Sequence, residues 1–420
     1  MAPTTSRQRL RDALAHRQPD RIPIDFGGSA VTGVHVSCVA TLRDYYGLEK
    51  RPVKVHEPYQ MLGLVESDLS EAMGLDVTGV FPRNTMFGFA NAEWKEWDFR
   101  GLPVLVSTEF RTRTEANGDI LIYPEGDETV APSGRMPLGS AFFDTIVRQP
   151  PFDEDSLNIE DNLEEFTPLS EADLDHISAG VAAAQHTGKG ILATFGGTAF
   201  GDIALVPAPF LKNPKGIRDV AEWYMSTSSR KDYVHKIFAH QCENGIRNLE
   251  RVHARIGDAV DAVFLCGTDF GTQTSQFCSV RTLRELWFPY YKAVNDWVHR
   301  NTGWKCFKHS CGSVEKFFDA FIGAGFDIIN PVQCSGRGHG SGDSESEIRR
   351  PPGVLGRRSG HPENPAIWNT RAGARRGAAP LRDLLHWRRV RFRFNPQCAG
   401  RHPVENLVAM LDAVKEFNGR

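Results

Sequence analysis

No stretch of this chain is apolar over the roughly 20 residues that a membrane-spanning helix needs, and residues 1–18 hold no hydrophobic signal core. Cysteine is sparse, eight in 420 residues. That density excludes a disulfide-stapled scaffold, and several of the eight stand in runs that read as buried strands and helices. Net charge is close to absent, −3 at neutral pH. This removes the basic surface expected of a nucleic-acid binder or of a protein held on an anionic membrane. Together the absences predict a cytoplasmic protein with reduced thiols free for metal. Apolar residues at 40% and aromatics at 10% are enough for a proper core. The length exceeds an ordinary small domain but fits one large α/β barrel.

One absence is local. From Gly336 to His402 there is no lysine, against 14 arginines, ten glycines, six prolines and five acids. The local charge is +9 (14 minus 5), leaving −12 on the rest of the chain. Apolar periodicity nearly vanishes there, then returns from Pro403 to Phe417 as an amphipathic helix with proline at its start. Three readings compete. The segment is a basic insert for an acidic partner, with Arg388-Arg-Val-Arg-Phe-Arg as its core, or a solvated loop, or a stretch translated out of frame. A GC-rich gene misread in another frame gives such an Arg/Gly/Pro/Ala-rich product. A structureless loop of this length is uncommon in a compact barrel, which favours the frame error. Re-reading the coding DNA tests it: other frames should restore a strand-helix-strand pattern.

Elsewhere the chain is patterned. The stretch from Met1 to Gln18 predicts a helix capped by Ser6, with Leu10, Ala13 and Leu14 on one face. Pro19 to Gly28 reads as a short strand running into a glycine turn. Residues from about 40 to 80 read as helices, with Leu62, Val65, Leu69 and Met73 at helical spacing. Residues 93–127 alternate around the Asn117-Gly118 turn and predict an antiparallel hairpin excursion. A Pro/Gly/acid-rich stretch then runs to about Asn162. From Ser170 onward strands alternate with helices, as parallel strands with crossover helices do. Polar and glycine residues follow these strands: Gly196-Gly197, Gly267-Thr-Asp-Phe-Gly-Thr-Gln, Ser310-Cys-Gly and Gln333-Cys-Ser. In barrels of this kind the site lies at the C-terminal strand ends, so the polar candidates converge on one face. The predicted fold is a (β/α)8 TIM barrel over residues 1–420, with a hairpin insertion and C-terminal elements disrupted by the 336–402 segment.

The most informative motif is His309-Ser-Cys311-Gly, at the break between a strand and a helix. Imidazole and thiol two residues apart project from one side of an extended segment, and both are ligand types that zinc prefers. Cys334 closes the next apolar run. Two ligands at one strand end and one at the next make an open metal site. The plainer reading makes Cys311 and Cys334 small core residues and His309 a strand-end polar group. Asp269, after the strand ending at Cys266, either orients a ligating histidine, binds substrate, or caps a turn. Asp25 and Gln273 are substrate-binding candidates, Asp25 with a turn-forming alternative. Asn330 and Gln333, flanking a proline, either bind substrate or satisfy the loop. His35, His56, His235, His240 and His253 read as surface or core histidines, and Trp287-Phe-Pro-Tyr-Tyr as packing.

The chain resembles the uroporphyrinogen decarboxylase-like superfamily, and within it the branch of corrinoid-dependent methyltransferases. The resemblance rests on Arg9-x-x-x-Ala13-Leu14 followed by Pro19-Asp-Arg-Ile-Pro, on Gly267-Thr-Asp-Phe-Gly-Thr-Gln and on Lys308-His-Ser-Cys-Gly-Ser. Phe326-Asp-Ile-Ile-Asn-Pro-Val-Gln and Pro403-Val-Glu-Asn complete it. It implies a (β/α)8 barrel. The chain departs from true decarboxylases in lacking their arginine-rich Met-Arg-Gln-Ala-Gly-Arg stretch; Pro-Ile-Asp-Phe-Gly-Gly stands there instead. A substrate with many carboxylates needs many cationic donors. The resemblance therefore implies a zinc methyltransferase moving a methyl group between a separate corrinoid protein and a thiol or methoxylated small molecule. His309 and Cys311 carry over as ligands, with His309 and Asp269 in the catalytic set. The third ligand is Cys334, with Cys398 and His402 as alternatives, since the relatives place it near the last barrel strand. A homodimer is compatible with this reading. A decarboxylase acting without cofactor, or an inactive copy, is the alternative.

Overall fold

A computed structural model describes residues 4–331 and 404–419. Helix α1 (Ser6–Leu14) begins at Thr5, whose hydroxyl accepts from the Gln8 amide. Ser6, expected as the cap, is instead the first helical residue, and its hydroxyl donates to Asp76 at 2.8 Å. The stretch from Pro19 to Gly28, expected as a short strand running into a glycine turn, carries no strand ladder. Pro19 and Pro23 lack an N–H. The Asp76 amide donates to the Ile24 carbonyl (2.8 Å), while the Ile24 amide turns to the Asp76 carboxylate (2.9 Å). That buried carboxylate also receives Arg9 and Arg21.

Next come β1 (Val34–His35), α2 (Val36–Tyr45), β2 (Val53–Glu57), β3 (Leu62–Gly63), α3 (Ser67–Met73) and β4 (Val77–Val80). The helical spacing expected from Leu62 holds only for Leu69 and Met73, which are buried on α3; Leu62 pairs with Glu57 across a hairpin. The antiparallel region is wider than residues 93–127. It comprises β5 (Trp94–Phe99), β6 (Leu102–Ser107), β7 (Thr112–Thr114), β8 (Ile120–Ile122), β9 (Gly134–Met136) and β10 (Asp144–Thr145). Strands β5 and β6 extend a sheet ordered β1-β3-β2-β6-β5, and β7 to β10 form a separate four-stranded sheet. Asn117-Gly118 does turn the chain between β7 and β8, with Gly118 at φ +84°.

The second half alternates as its pattern predicts. In order it holds α4 (Glu171–Gln185), β11 (Gly190–Thr194), α5 (Val220–Ser229), α6 (Lys231–Ile256), β12 (Ala262–Cys266), α7 (Val280–Leu286), α8 (Phe288–Asn301), β13 (Lys305–His309), α9 (Phe318–Gly323), β14 (Ile328–Asn330) and α10 (Val404–Phe417). Five strands form one sheet ordered β14-β13-β12-β11-β4, every pair parallel. The protein is a mixed α/β fold; among the described residues this sheet ends at β4 and β14.

Strand alternation divides the core. Val77, Leu192, Ala262, Phe307 and Ile328 form one layer with Leu10 and Val31. Val80, Ile191, Ala193, Val263, Cys306 and Ile329 face the helices. The period of two therefore sends Phe307 and His309 one way and Cys306 and Lys308 the other. A second core lies under β2 and β6, closed by Leu407, Leu411 and Val414 of α10. No helix of the described residues is long and apolar enough to cross a membrane.

Candidate metal centre

The register of β13 on β14 sets His309 opposite Asn330. Both point into the layer away from the helices, and His309 Nδ1 meets Asn330 Oδ1 at 2.7 Å. An amide oxygen accepts, so Nδ1 carries the proton and Nε2 is left with its lone pair. That is the tautomer of a metal-ligating histidine oriented by a neighbouring oxygen. Nε2 lies 3.2 Å from Cys311 Sγ and 3.5 Å from Asp269 Oδ1. One ligand atom from each of Asp269, His309 and Cys311 lies within 4.8 Å of the others. A sulfur and a nitrogen on one tetrahedral zinc, at about 2.3 and 2.0 Å from it, are about 3.5 Å apart. The donor set and its spacing fit a metal ion of that kind.

Backbone packing holds the two loops together. The Cys311 amide donates to Asp269 Oδ1 at 2.6 Å, the Phe270 amide to Ser310 Oγ at 3.0 Å, and the Ser310 amide to the Asn330 carbonyl at 2.9 Å. Gly312 adopts φ +86°, and a Cβ there would stand 2.2 Å from the Gly271 carbonyl oxygen. Only glycine permits that approach. Gly267 is similar in function: a Cβ on it would meet Asp202 Oδ2 at 2.6 Å.

Sequence reading missed several groups here. Lys308 is fully buried on the helix side, donating to the carbonyls of Thr268 and His309 at 3.1 Å each. The rings of Phe270, Tyr291, Phe321 and Phe326 surround its ammonium within 5.9 Å. A bulge after Phe264 brings Cys266 beside it, at 3.4 Å. Its signal was parity, since a lysine next to an inward histidine must enter the helix-facing core. Asp202, on the loop after β11, is pushed up to about 6 by burial and by the charge of Asp269, opposed by the Ala204 amide, His309 and Lys308. It follows β11 by eight residues, where Asp269 follows β12 by three, so spacing did not mark the two as a pair. Glu57 is pushed up to about 7 by burial, against the amides of Gln60 and Tyr59. Tyr59, pushed up to about 12 by burial, also feels Asp144, Glu57 and Asp202. The buried Tyr224 hydroxyl has no hydrogen-bond partner among the described residues; burial and the charges of Asp269 and Asp202 raise it.

Of the remaining candidates, Asp25 is buried and its carboxylate accepts from the Gly28 amide at 2.9 Å, forming a turn. Gln273 sits half-buried in the loop between Gly271 and Gln276. Gln333, Cys334, Cys398 and His402 lie outside the described residues. His35 bonds Ser37 and the Ala141 carbonyl, His235 the Tyr290 hydroxyl, and His240 the Asn244 amide. His56 is buried against Phe81 and pushed down to about 4 by desolvation. Tyr291 of the aromatic helix packs its hydroxyl on Cys266. A second donor group, His299, Cys306 and Asp327, lies at the opposite strand ends. There Asp327 already receives His299, Lys305 and the Cys306 amide, which accounts for the arrangement without an ion.

No family model and no curated protein sequence matches the chain. Among solved structures it is similar to a methyltransferase from Methanosarcina mazei, at 12% identity and a TM-score of 0.52, covering 98% of this chain and 99% of that one. A beta-glycosidase, BGL167, aligns at 13% identity over 63% of this chain and 68% of its own, with a TM-score of 0.30, and nothing rests on it. The first likeness spans both chains nearly end to end, and it is a likeness of fold.

Proposed function

We propose that the protein is a zinc-dependent methyltransferase of a corrinoid-dependent methyl-transfer system. The observation that carries this reading is the lone-pair nitrogen of His309, fixed by Asn330 and aimed at Cys311 and Asp269. His309, Cys311 and Cys334 are the proposed ligands, and Asp269 offers a carboxylate at the position that substrate exchanges into. Bound there, zinc would supply a Lewis acid that keeps a substrate thiol deprotonated near neutral pH, or polarises a methoxyl oxygen. The chain's own residues orient the imidazole (Asn330), hold the two loops in register (Ser310, Gly312) and place nearby a carboxyl pushed up to about 6 (Asp202). The methyl group would pass to or from a separate corrinoid protein.

The same reading takes the chain as one (β/α)8 barrel. Its support is that Asn418, after α10, accepts from the Ile22 amide at 2.9 Å. Asn418 thereby reaches the segment that meets the start of β4 through Asp76.

Metal analysis of the purified full chain tests the proposal. One zinc per chain is expected, lost in Cys311→Ala and His309→Ala with the circular dichroism unchanged. Asn330→Ala should weaken zinc binding by about 10–100-fold, and Asn330→Asp, which still accepts from Nδ1, should largely restore it. Transfer from methylcobalamin to a small thiol should follow the metal. Trace zinc, or transfer undiminished in Cys311→Ala, sinks the reading. Carbon dioxide release without zinc would return the protein to the decarboxylase alternative, and loss of both to an inactive copy.

A further inference from the structure

We propose that the metal centre adjoins a subsite for a protonated amine, read by the carboxylate of Asp202, so that the small molecule handled here is an ammonium compound. As the substrate class of the methyl-transfer site this rests on the reading above; as a binding site it rests on Asp202 alone.

Asp202 is held in one orientation with one oxygen left to use. Oδ1 accepts from the Ala204 amide at 3.0 Å. Oδ2 lies against Gly267, two residues before Asp269, where an added Cβ would approach it to 2.6 Å. No described residue donates a hydrogen bond to Oδ2 or forms an ion pair with the carboxylate, and this oxygen is not sealed from solvent. The residue is half-buried, and desolvation is the largest influence on its carboxyl. A carboxylate that loses water without gaining a counter-charge is costly to keep, and a cation arriving at Oδ2 offsets that cost. An ionised carboxylate only accepts hydrogen bonds, whereas an ammonium carries three donors and no acceptor. A protonated amine is therefore the complement.

Neighbouring cations do not fill this role. Lys308, whose charge Asp202 feels, directs its donors to the carbonyls of Thr268 and His309 and to Cys266 Sγ. Arg218 is engaged by Glu165 through both guanidinium nitrogens. Asp269 adds a second negative charge from the metal loop. An anionic group would thus meet two carboxylates and no free side-chain cation among the described residues. There is also room for the rest of the molecule. Asp202 lines a cavity of about 190 Å³, far above the roughly 10–15 Å³ that one water requires. Val206, Phe210, Ile237 and Trp223 give that cavity an apolar wall suited to a short alkyl chain, and Glu165 on the same wall is neutralised by Arg218.

The test is calorimetric titration of the full chain at neutral pH with propylammonium, propan-1-ol and butyrate, before and after dialysis against a chelator. Propylammonium should bind at least tenfold more tightly than propan-1-ol, butyrate should not bind, and chelation should change neither result. Asp202→Asn should erase the preference for the cation. Equal affinity for the cation and the alcohol, a preference retained in Asp202→Asn, or a preference lost with the metal overturns the proposal. The contrast between cation and alcohol uses the unaltered chain, so it decides even if the variant fails to fold. Methyl transfer from methylcobalamin separates this inference from the zinc reading. Cysteamine should exceed 2-mercaptoethanol at least tenfold in kcat/KM, and Asp202→Asn should collapse that ratio. Zinc-dependent transfer with no preference for cysteamine sinks the ammonium substrate alone. A chain without zinc or transfer sinks the methyltransferase reading, and the titration still decides the amine site.

Discussion

Asp202 is held under opposing influences: burial and Asp269 favour its proton, while His309, Lys308 and the Ala204 amide favour its charge. Burial is the largest, and the carboxyl is pushed up to about 6 from an ordinary 3.8. The folded protein therefore keeps a proton between those values that the unfolded chain releases. The contribution to stability is complete below about pH 4 and is lost as pH rises through 6. Asp202→Asn keeps the neutral form at every pH. Chelator-treated wild type and variant should unfold at the same urea concentration near pH 4. At pH 8 the variant should be more stable by about 1–2 kcal/mol, allowing for solvent near the group. His56, which titrates in the opposite sense, is common to both proteins and cancels. Equal urea midpoints at both pH values would show that Asp202 is not desolvated as described.

At the scale of elements, the centre is made by three strand ends and the loops that leave β12 and β13. Parallel pairing of β12, β13 and β14 carries Asp269, His309 and Asn330 to one edge, and the bonds from Cys311 to Asp269 and from Phe270 to Ser310 clamp the loops. The clamp requires Gly312. In Gly312→Ala a left-handed backbone and a 2.2 Å collision with Gly271 coincide. The expected cost is about 1–3 kcal/mol, together with loss of zinc as Cys311 moves away from Asp269. Gly196→Ala is the control: its φ is +81°, but nothing lies within 4 Å of the added carbon. It should cost only the backbone strain and leave zinc in place. Thermal unfolding and metal content of the two variants decide between these outcomes, and retention of zinc in Gly312→Ala would show that the clamp is dispensable.

Over the whole molecule, α10 joins the end of the chain to its beginning. Leu407, Leu411 and Val414 are 3%, 1% and 0% exposed within the core that also holds Val39 and Leu42 of α2. Each such side chain contributes about 1.5–3 kcal/mol on burial. A chain ending at residue 403 should therefore bind 1-anilinonaphthalene-8-sulfonate and lose a cooperative thermal transition. An unchanged melting curve would mean that α10 is peripheral. Much of this organisation was legible in the sequence. Short continuous apolar runs alternating with helical runs determined the parallel α/β half, because burial on both faces of a sheet leaves that pattern. His309 and Cys311 two residues apart determined a shared face. The displacement of Ser6 from the cap position, its hydroxyl drawn to Asp76, and the unladdered segment at 22–26 were not legible, since each depends on a partner far along the chain. Asp76 takes the Ile24 amide, for example, and no local spacing records that. The sequence by itself determined which residue types arrive at the strand ends. Only the tertiary structure decided that Asn330 sets the His309 tautomer, that Asp269 reaches the same point as Cys311, and that four aromatic rings surround Lys308. Register and loop-to-loop packing are contacts between distant segments, and no single segment specifies them.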